Sequence, residues 1–89
     1  MADSVSVALC THNGSRHVGK QVESILAQSR PVNEIVMGDN ASHDDTIAIV
    51  TRLLTEAGVP FRVLESAEPL GITKNFERTI LACSGDFIA

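Results

Sequence analysis

The sequence predicts an α/β fold in which four short parallel strands alternate with three helices. Apolar runs typical of strands alternate with segments whose apolar residues recur at helical spacing, in the order β-α-β-α-β-α-β. The connections are short, and strands that are joined through crossover helices lie parallel in one sheet. With 89 residues, 44% of them hydrophobic, the chain is long enough for a single domain, residues 1–89, with a packed core.

The first strand is predicted over residues 4–10, because small and apolar side chains alternate there without a large polar residue. A polar turn centred on Asn13-Gly14 follows. Residues 17–28 are predicted to form an amphipathic helix that ends before Pro31, since proline disfavours helix at the residue preceding it. The apolar side of this helix carries Val18, Val22, Ile25 and Leu26.

The second strand, residues 34–37, is an apolar run suited to burial on both faces. Ser42 and Asp45 have the spacing of a capping box, with Asp in place of the usual Glu, and predict a helix over residues 43–57. Asp39-Asn40 should therefore lie at the carboxyl end of a strand, just before a helix. Ligands bind at that position in open α/β sheets.

A third strand is predicted over residues 61–64. Thr73 is expected to cap a third helix, whose inner side would carry Phe76 and Ile80. Residues 86–89 begin a fourth strand. Because the chain stops inside that strand, we expect it to be a fragment of a longer fold.

The composition argues against several functional classes. The net charge of −4 does not suit a nucleic-acid-binding surface, and there is no Trp or Tyr on which bases could stack. No apolar run approaches the roughly 20 residues of a membrane span, and the amino terminus lacks the basic stretch of a signal peptide. Cys10 and Cys83 lie in apolar stretches, so both are expected to be reduced and buried in the core.

Two polar strand ends are the candidate functional positions: Thr11-His12-Asn13 after the first strand and Asp39-Asn40 after the second. The glycine-rich phosphate loops of the dinucleotide-binding and Walker types are absent, and the histidines do not have the spacing of a metal-ligand set. If the two strands are neighbours, these side chains can accept hydrogen bonds from a base or a ribose. The alternative is that Asp39 and Asn40 are ordinary turn and cap residues, because Asp and Asn favour turns for local reasons.

Four stretches resemble the amino-terminal part of the inverting GT-A glycosyltransferases of family 2. Residues 5–13 are similar to the family's opening strand and Thr-x-Asn turn, and residues 24–29 to its S-I-L-x-Q segment. Residues 34–46 resemble the strand that ends in D-D-x-S, and residues 70–78 with 84–89 resemble the later helix and the G-[DE]-[FY]-I-A strand. Each motif is weak alone, but the four occur in the family's order and cover nearly the whole chain.

The resemblance implies a partial GT-A fold. This is a Rossmann-like three-layer sandwich with a mostly parallel sheet in the order 3-2-1-4 and helices on both faces. Ala41 departs from the family pattern, because it stands where Gly or Asn is commoner.

The resemblance also implies a set of nucleotide-binding residues. Thr11 and Asn13 would line the base and ribose pocket. Asp39 and Asn40 would accept hydrogen bonds from the base or ribose of the donor, and Lys74 would lie near the donor diphosphate. The family has Asp where this chain has Asn40, so Asn40→Asp is expected to keep or improve binding if this residue reads the base.

The implied activity is that of a transferase in polysaccharide biosynthesis. It would move a sugar from a nucleotide diphosphate sugar to a hydroxyl of a saccharide or lipid-linked acceptor, with inversion. No catalytic residue and no metal ligand falls within the chain, because the family's D-x-D follows the strand that begins at Asp86 and the general base lies later still. A divalent cation, Mn²⁺ or Mg²⁺, is therefore expected in the full-length enzyme only, and the 89 residues alone should be inactive.

The full-length protein is expected in the cytoplasm or at the cytoplasmic face of a membrane. Two other interpretations stay open at this point: a non-catalytic nucleotide-binding α/β module, and a flavodoxin-like domain without sugar chemistry. Acidic residues just beyond Ala89 would favour the enzyme over the binding module.

Overall fold

The computed structural model describes residues 4–28, 32–85 and 87–88. Within them the elements follow the predicted order: β1 (Val5–Thr11), α1 (Val18–Leu26), β2 (Glu34–Asp39), α2 (Thr46–Ala57), β3 (Phe61–Leu64), α3 (Ile72–Ala82) and β4 (Phe87–Ile88). All strand pairs are parallel, and the sheet order β3-β2-β1-β4 confirms the predicted order 3-2-1-4. Pro31, Asp86 and Ala89, which the prediction placed at element ends, lie outside the described residues.

The hydrophobic core lies between one face of the sheet and the pair α1 and α2. Alternate residues of β1 and β2 point to this face, because successive side chains of a strand lie on opposite sides of a sheet. Each buried aliphatic side chain stabilises the fold by roughly 1.5–3 kcal/mol. The buried cluster comprises Val7, Leu9, Val18, Val22, Ile35, Met37, Val50 and Leu54.

The opposite face is covered by α3, and the prediction for this helix was wrong about its inner side. Asn75 and Thr79 are buried, whereas Phe76 is 51% exposed. The cause is a close approach at Gly38 of β2, where an added Cβ would lie 1.8 Å from the Thr79 hydroxyl oxygen. Only small or polar side chains fit so tight a contact, and the Asn75 amide donates to the Gly38 carbonyl at 2.8 Å. Ile72, Phe76 and Leu81 are therefore turned away from the sheet, whereas Ile80 is half-buried.

Two predicted helix starts also need correction. Helix α3 begins one residue before Thr73, after Gly71 at φ 84°, so Thr73 is not its cap. Helix α2 begins at Thr46, and its N-cap Asp45 makes no side-chain capping bond. Ser42 is not part of a capping box, because its hydroxyl donates to Asp39 instead. The predicted helix over residues 17–28 is observed as α1 with slightly shorter bounds.

The cysteines are free, but the predicted burial of both was wrong for Cys10, which is exposed. It lies on the α3 side of β1, directly opposite Gly38 in the sheet. Cys83 is half-buried, and its thiol donates to the Thr79 carbonyl at 3.4 Å. Burial raises the pKa of the Cys83 thiol, which favours the protonated form.

The amino ends of the strands are held together by the carboxylate of Glu34. Its Oε2 accepts from the Ser6 hydroxyl at 2.5 Å and from the backbone N–H and hydroxyl of Ser84, both at 2.6 Å. Arg62 lies 3.4 Å from the other oxygen. These contacts, led by the Ser6 hydroxyl, lower the pKa of Glu34 to about 2. The carboxylate thus connects β1, β2 and the α3–β4 turn. Among the described residues, no helix has the length and apolar character needed to cross a bilayer.

Candidate functional site

The carboxyl ends of β1 and β2 meet in register, with Thr11 opposite Asp39. The backbone N–H of Asn40 donates to the Thr11 carbonyl at 2.8 Å, so the pairing continues one residue beyond β2. Asn13 lies in the turn that leaves β1 at the same edge, and its side chain binds the turn after β2. Four of the five predicted site residues, Thr11, Asn13, Asp39 and Asn40, are therefore brought together at one edge of the sheet.

Asp39 organises the two turns. Its carboxylate Oδ1 accepts from the hydroxyls of Thr11 and Ser42, both at 2.6 Å, and Oδ2 accepts from the Ser42 backbone N–H at 2.9 Å. The residue is 1% exposed, so these bonds replace the water that a carboxylate would otherwise need. The turn they close holds Ala41 at φ 53°, which explains why Gly or Asn is the commoner residue there.

Asn13 connects the two turns from the other side. Its side-chain oxygen accepts from the His43 backbone N–H at 2.7 Å, and its own N–H donates to the Ser42 hydroxyl at 2.8 Å. Asn13 adopts φ 45°, a conformation that Asn tolerates better than most residues. One residue further on, the Gly14 N–H donates to the Thr46 hydroxyl at 2.9 Å. The turn after β1 is therefore fixed onto the start of α2.

Asp44 completes this connection. Its Oδ1 accepts from the hydroxyl and the backbone N–H of Thr46, the first residue of α2, and its Oδ2 accepts from the Ser15 N–H at 3.1 Å. These bonds, led by the Thr46 hydroxyl, lower the pKa of Asp44 to about 2. Asp44 thus satisfies a free N–H group at the start of α2, the task that the sequence assigned to Ser42.

A cleft of about 160 Å³ opens between these strand ends and the first turns of α3. Ligand pockets for drug-sized molecules are about 300–1,000 Å³, so this volume suits one part of a ligand, such as a base. Buried polar residues and exposed apolar or aromatic side chains both contribute to its wall. The lining residues are Cys10, Thr11, His12, Asn40, Ile72, Asn75 and Phe76.

The sequence did not identify the part of this wall that α3 provides. Ile72, Asn75 and Phe76 have the spacing i, i+3 and i+4, which places them on one side of a helix. That signal was present, but Phe76 was assigned to the core. His12, which the sequence analysis placed in the polar end of β1 but not among the nucleotide-binding residues, also lines the cleft, and its Nδ1 contacts the Asn40 carbonyl.

Arg78 fastens α3 to the carboxyl ends of β2 and β3. Its guanidinium donates to the carbonyls of Asp39 at 2.8 Å, Leu64 at 3.0 Å and Glu65 at 3.2 Å. It also donates to the side-chain oxygen of Asn75 at 3.0 Å. The planar fork of arginine suits several carbonyls at once. The cleft wall on α3 is therefore held at a fixed distance from Asp39 and its turn.

Lys74, the fifth predicted site residue, is exposed in the first turn of α3 and does not line the cleft. It neighbours Asn75, which does. Within the described residues, no three His, Cys, Asp or Glu side chains cluster closely enough to hold a metal ion. The carboxylates of Asp39 and Asp44 already accept hydrogen bonds from the chain itself, so the described residues do not fit a divalent cation.

The fold matches known structures and sequences. The mannosyltransferase PcManGT from Pyrobaculum calidifontis, solved in complex with GDP-Man and Mn²⁺, superposes with a TM-score of 0.85. The match is 23% identical and covers 99% of this chain and 26% of that one, so it shows the fold, and the expected partial GT-A architecture is confirmed. The putative glycosyltransferase EpsE of Bacillus subtilis (strain 168) is 26% identical over 85 residues.

The match with EpsE covers 96% of this chain but only 31% of the length of EpsE. The family model described as glycosyl transferase family 2 matches residues 6–89, nearly the whole chain. The motifs that carry the resemblance begin on β1, in α1, on β2 and just before α3, in the order of the chain. The chain therefore belongs to glycosyl transferase family 2.

Proposed function

We propose that the cleft is the base-binding end of a donor site, and that the full-length protein transfers a sugar from a nucleotide diphosphate sugar to an acceptor hydroxyl with inversion. The observation that carries this proposal is the convergence of Thr11, Asp39 and Asn40 beside a cleft with an aromatic wall, in a member of this family. Ligands of open α/β sheets bind at this edge.

The proposed binding roles follow from the contacts. Thr11 and Asn40 line the cleft, and Phe76 offers a ring on which a base can pack. Three hydrogen bonds from the chain occupy the Asp39 carboxylate, which is 1% exposed and does not line the cleft, so we propose that Asp39 acts on the donor through the turns that it holds. Asn13 lies in the adjoining turn, where it fixes the shape of the ribose side.

Lys74 is proposed to neutralise part of the donor diphosphate. In the described part of the chain, no hydrogen bond or ion pair uses its ammonium group, so the charge is available to a ligand. Lys74 is two residues from both Ile72 and Phe76 and so lies on another side of α3 from the cleft, and the proposal requires its long, flexible side chain to reach the diphosphate.

A divalent cation, Mn²⁺ or Mg²⁺, is proposed to belong to the full-length enzyme, since PcManGT was solved with Mn²⁺ and GDP-Man. The described residues lack its ligand set, so they are expected to bind a nucleotide but not to transfer sugar. We propose a saccharide or lipid-linked acceptor and action in the cytoplasm or at the cytoplasmic face of a membrane. Family membership favours the enzyme over a non-catalytic nucleotide-binding module.

The test uses two exposed apolar side chains of the same helix. Phe76→Ala removes the aromatic wall of the cleft, whereas the control Leu81→Ala alters a residue that is 84% exposed and does not line it. A base–aromatic contact is worth about 1–3 kcal/mol, so Phe76→Ala should weaken binding of UDP or GDP by about fivefold to a hundredfold. Calorimetric titration of the full-length protein measures both variants.

Leu81→Ala should leave the dissociation constant unchanged. Equal losses in the two variants, or no loss in either, would contradict the assignment of the cleft as the base site.

A further inference from the structure

We infer that Arg78 is a positioning residue of the nucleotide site, because it holds the wall of the cleft without lining it. It fixes the peptide group between Asp39 and Asn40, and it fixes the side-chain amide of Asn75. This inference rests on the proposed function, because it assumes that a nucleotide occupies the cleft. Arg78 acts on that nucleotide only through the groups that it holds.

Strand β2 runs one residue beyond the end of β3. Gly38 pairs with Leu64, the last residue of β3, whereas Asp39 has no partner in that strand. The Asp39 carbonyl therefore needs a donor from outside the sheet. Arg78 Nη2 donates to it at 2.8 Å, and the same nitrogen donates to the Leu64 carbonyl at 3.0 Å. The guanidinium thus replaces the hydrogen bond that a longer β3 would supply.

The peptide group between Asp39 and Asn40 is held at both of its polar atoms. The Asn40 N–H donates to the Thr11 carbonyl at 2.8 Å, while the Asp39 carbonyl accepts from Arg78. Because the N–H and C=O of a trans peptide point in opposite directions, these two bonds together fix the plane of the peptide. The Asn40 side chain follows directly and lines the cleft, so its position depends in part on Arg78.

Arg78 also fixes the amide of Asn75, which lies one turn earlier in α3. Arg78 Nε donates to the Asn75 side-chain oxygen at 3.0 Å, and the Asn75 NH₂ group donates to the Gly38 carbonyl at 2.8 Å. The reversed amide would set donor against donor and acceptor against acceptor, so only one orientation fits. Asn75 is 3% exposed and lines the cleft. The buried part of the wall on α3 therefore depends on the same guanidinium.

All three nitrogens of this guanidinium donate hydrogen bonds. Nη1 contacts the carbonyl of Glu65, the residue that follows β3, at 3.2 Å. One side chain therefore connects β2, β3, the start of the β3–α3 loop and α3. A planar fork can reach these acceptors together, whereas a lysine ammonium is a single point of charge on a flexible stem. Without Arg78 the segments would be free to shift, and a ligand would have to order them on binding, which lowers its affinity.

The experiment compares two arginines that connect α3 to the sheet at opposite edges. Arg62 of β3 donates to the carbonyl of Ala82, at the end of α3, and pairs with Glu34 at 3.4 Å, away from the cleft. Calorimetry of the full-length protein with UDP and GDP measures wild type, Arg78→Ala, Arg78→Lys and the control Arg62→Ala. Thermal unfolding gives a temperature at which the variants are folded, so that a loss of affinity is separated from a loss of stability.

Arg78→Ala should weaken binding of the nucleotide that wild type binds by about tenfold, and Arg78→Lys, which keeps the charge, should weaken it several-fold. Arg62→Ala should bind like wild type. If Arg78→Ala does not fold, the comparison of Arg78→Lys with Arg62→Ala decides. Unchanged affinity in a folded Arg78 variant, or an equal loss in Arg62→Ala, would overturn the inference and leave the proposed function standing. Failure of wild type to bind either nucleotide would overturn both.

A second measurement needs no ligand. In the ¹⁵N-labelled protein, Arg78→Lys should shift the signals of the Asn40 backbone amide and the Asn75 side-chain amide, because both groups lose a fixed orientation. Arg62→Ala should leave these two signals unchanged. Unmoved signals in Arg78→Lys, or equal shifts in both variants, would overturn the inference.

Discussion

At the scale of single residues, the carboxylates of Glu34 and Asp39, at opposite ends of β2, both accept several hydrogen bonds but hold different parts of the fold. Asp39 closes the turn at the carboxyl edge, next to the cleft. Glu34 joins β1 to the α3–β4 turn at the amino edge, away from the cleft. An ionised carboxylate accepts several hydrogen bonds at once, so each residue holds more than one segment in place. Asp39 therefore serves the site, and Glu34 serves stability.

Glu34 predicts a dependence of stability on pH. Its pKa falls from an ordinary 4.5 to about 2 in the folded chain. A lowered folded-state pKa stabilises the fold fully above the unfolded pKa, and this contribution is lost as the pH falls from about 4.5 towards 2. The free energy of unfolding of wild type should therefore decrease over this window more than that of Glu34→Gln.

Urea unfolding at several pH values measures this difference. Glu56→Gln, which removes an exposed carboxylate of α2, is the control and should follow wild type. Parallel curves for wild type and Glu34→Gln would show that Glu34 does not act as described.

At the scale of elements, α3 decides the shape of the site. It lies close to β2 because Gly38 has no side chain, and Arg78 fixes it to the strand ends. This contact turns Phe76 outward into the cleft wall and leaves Asn75 and Thr79 against the sheet. The position of α3 is therefore set by a polar interface and not by its apolar residues.

Gly38→Ala tests this contact. The added methyl group would lie 1.8 Å from the Thr79 hydroxyl oxygen and 3.1 Å from the Asn75 side-chain oxygen. We expect a loss of about 2 kcal/mol or more in the free energy of unfolding, typical of overpacking. Thr79→Ala in the same chain should recover part of that loss, since it removes the nearest atom. Denaturant unfolding measures each variant.

Gly19→Ala is the matched control for this prediction. Apart from its chain neighbours and the backbone of its own helix turns, no atom lies within 4 Å of the position its Cβ would take in α1, so it should stabilise the chain by about 0.5–1 kcal/mol. A mild effect of Gly38→Ala, similar to that of Gly19→Ala, would contradict the close approach of α3.

The features that were predicted correctly from the sequence are those that local patterns of residues determine. Alternation and helical spacing located the strands and helices, and parallel pairing then brought Thr11 and Asp39 together. The sequence-based prediction was wrong where a contact between segments distant along the chain determines which side chains are buried. The inward side of α3 depends on Gly38, which lies 41 residues from Thr79 along the chain, and a pattern of apolar spacing carries no information about that contact. Cys10, which pairs with Gly38, is exposed because it lines the cleft beside α3.

At the scale of the whole molecule, the two edges of the sheet have separate roles. The amino edge is closed by Glu34 and its partners, while the carboxyl edge holds the cleft between two cross-linked turns and α3. The core lies to one side of the sheet, so neither edge interrupts it. A nucleotide should therefore bind at the carboxyl edge and leave the amino edge free, and the location of binding can be mapped directly.

That measurement is a map of amide chemical shifts in the ¹⁵N-labelled protein during titration with UDP or GDP. The largest changes are predicted at the amides that form or border the cleft: Thr11, His12, Asn40, Leu70 and Asn75. The chemical shifts of amides at the opposite edge should stay unchanged; these are Ser6, Glu34 and Ser84. Changes confined to the amino edge, or saturating binding that leaves the cleft amides unmoved, would contradict the account.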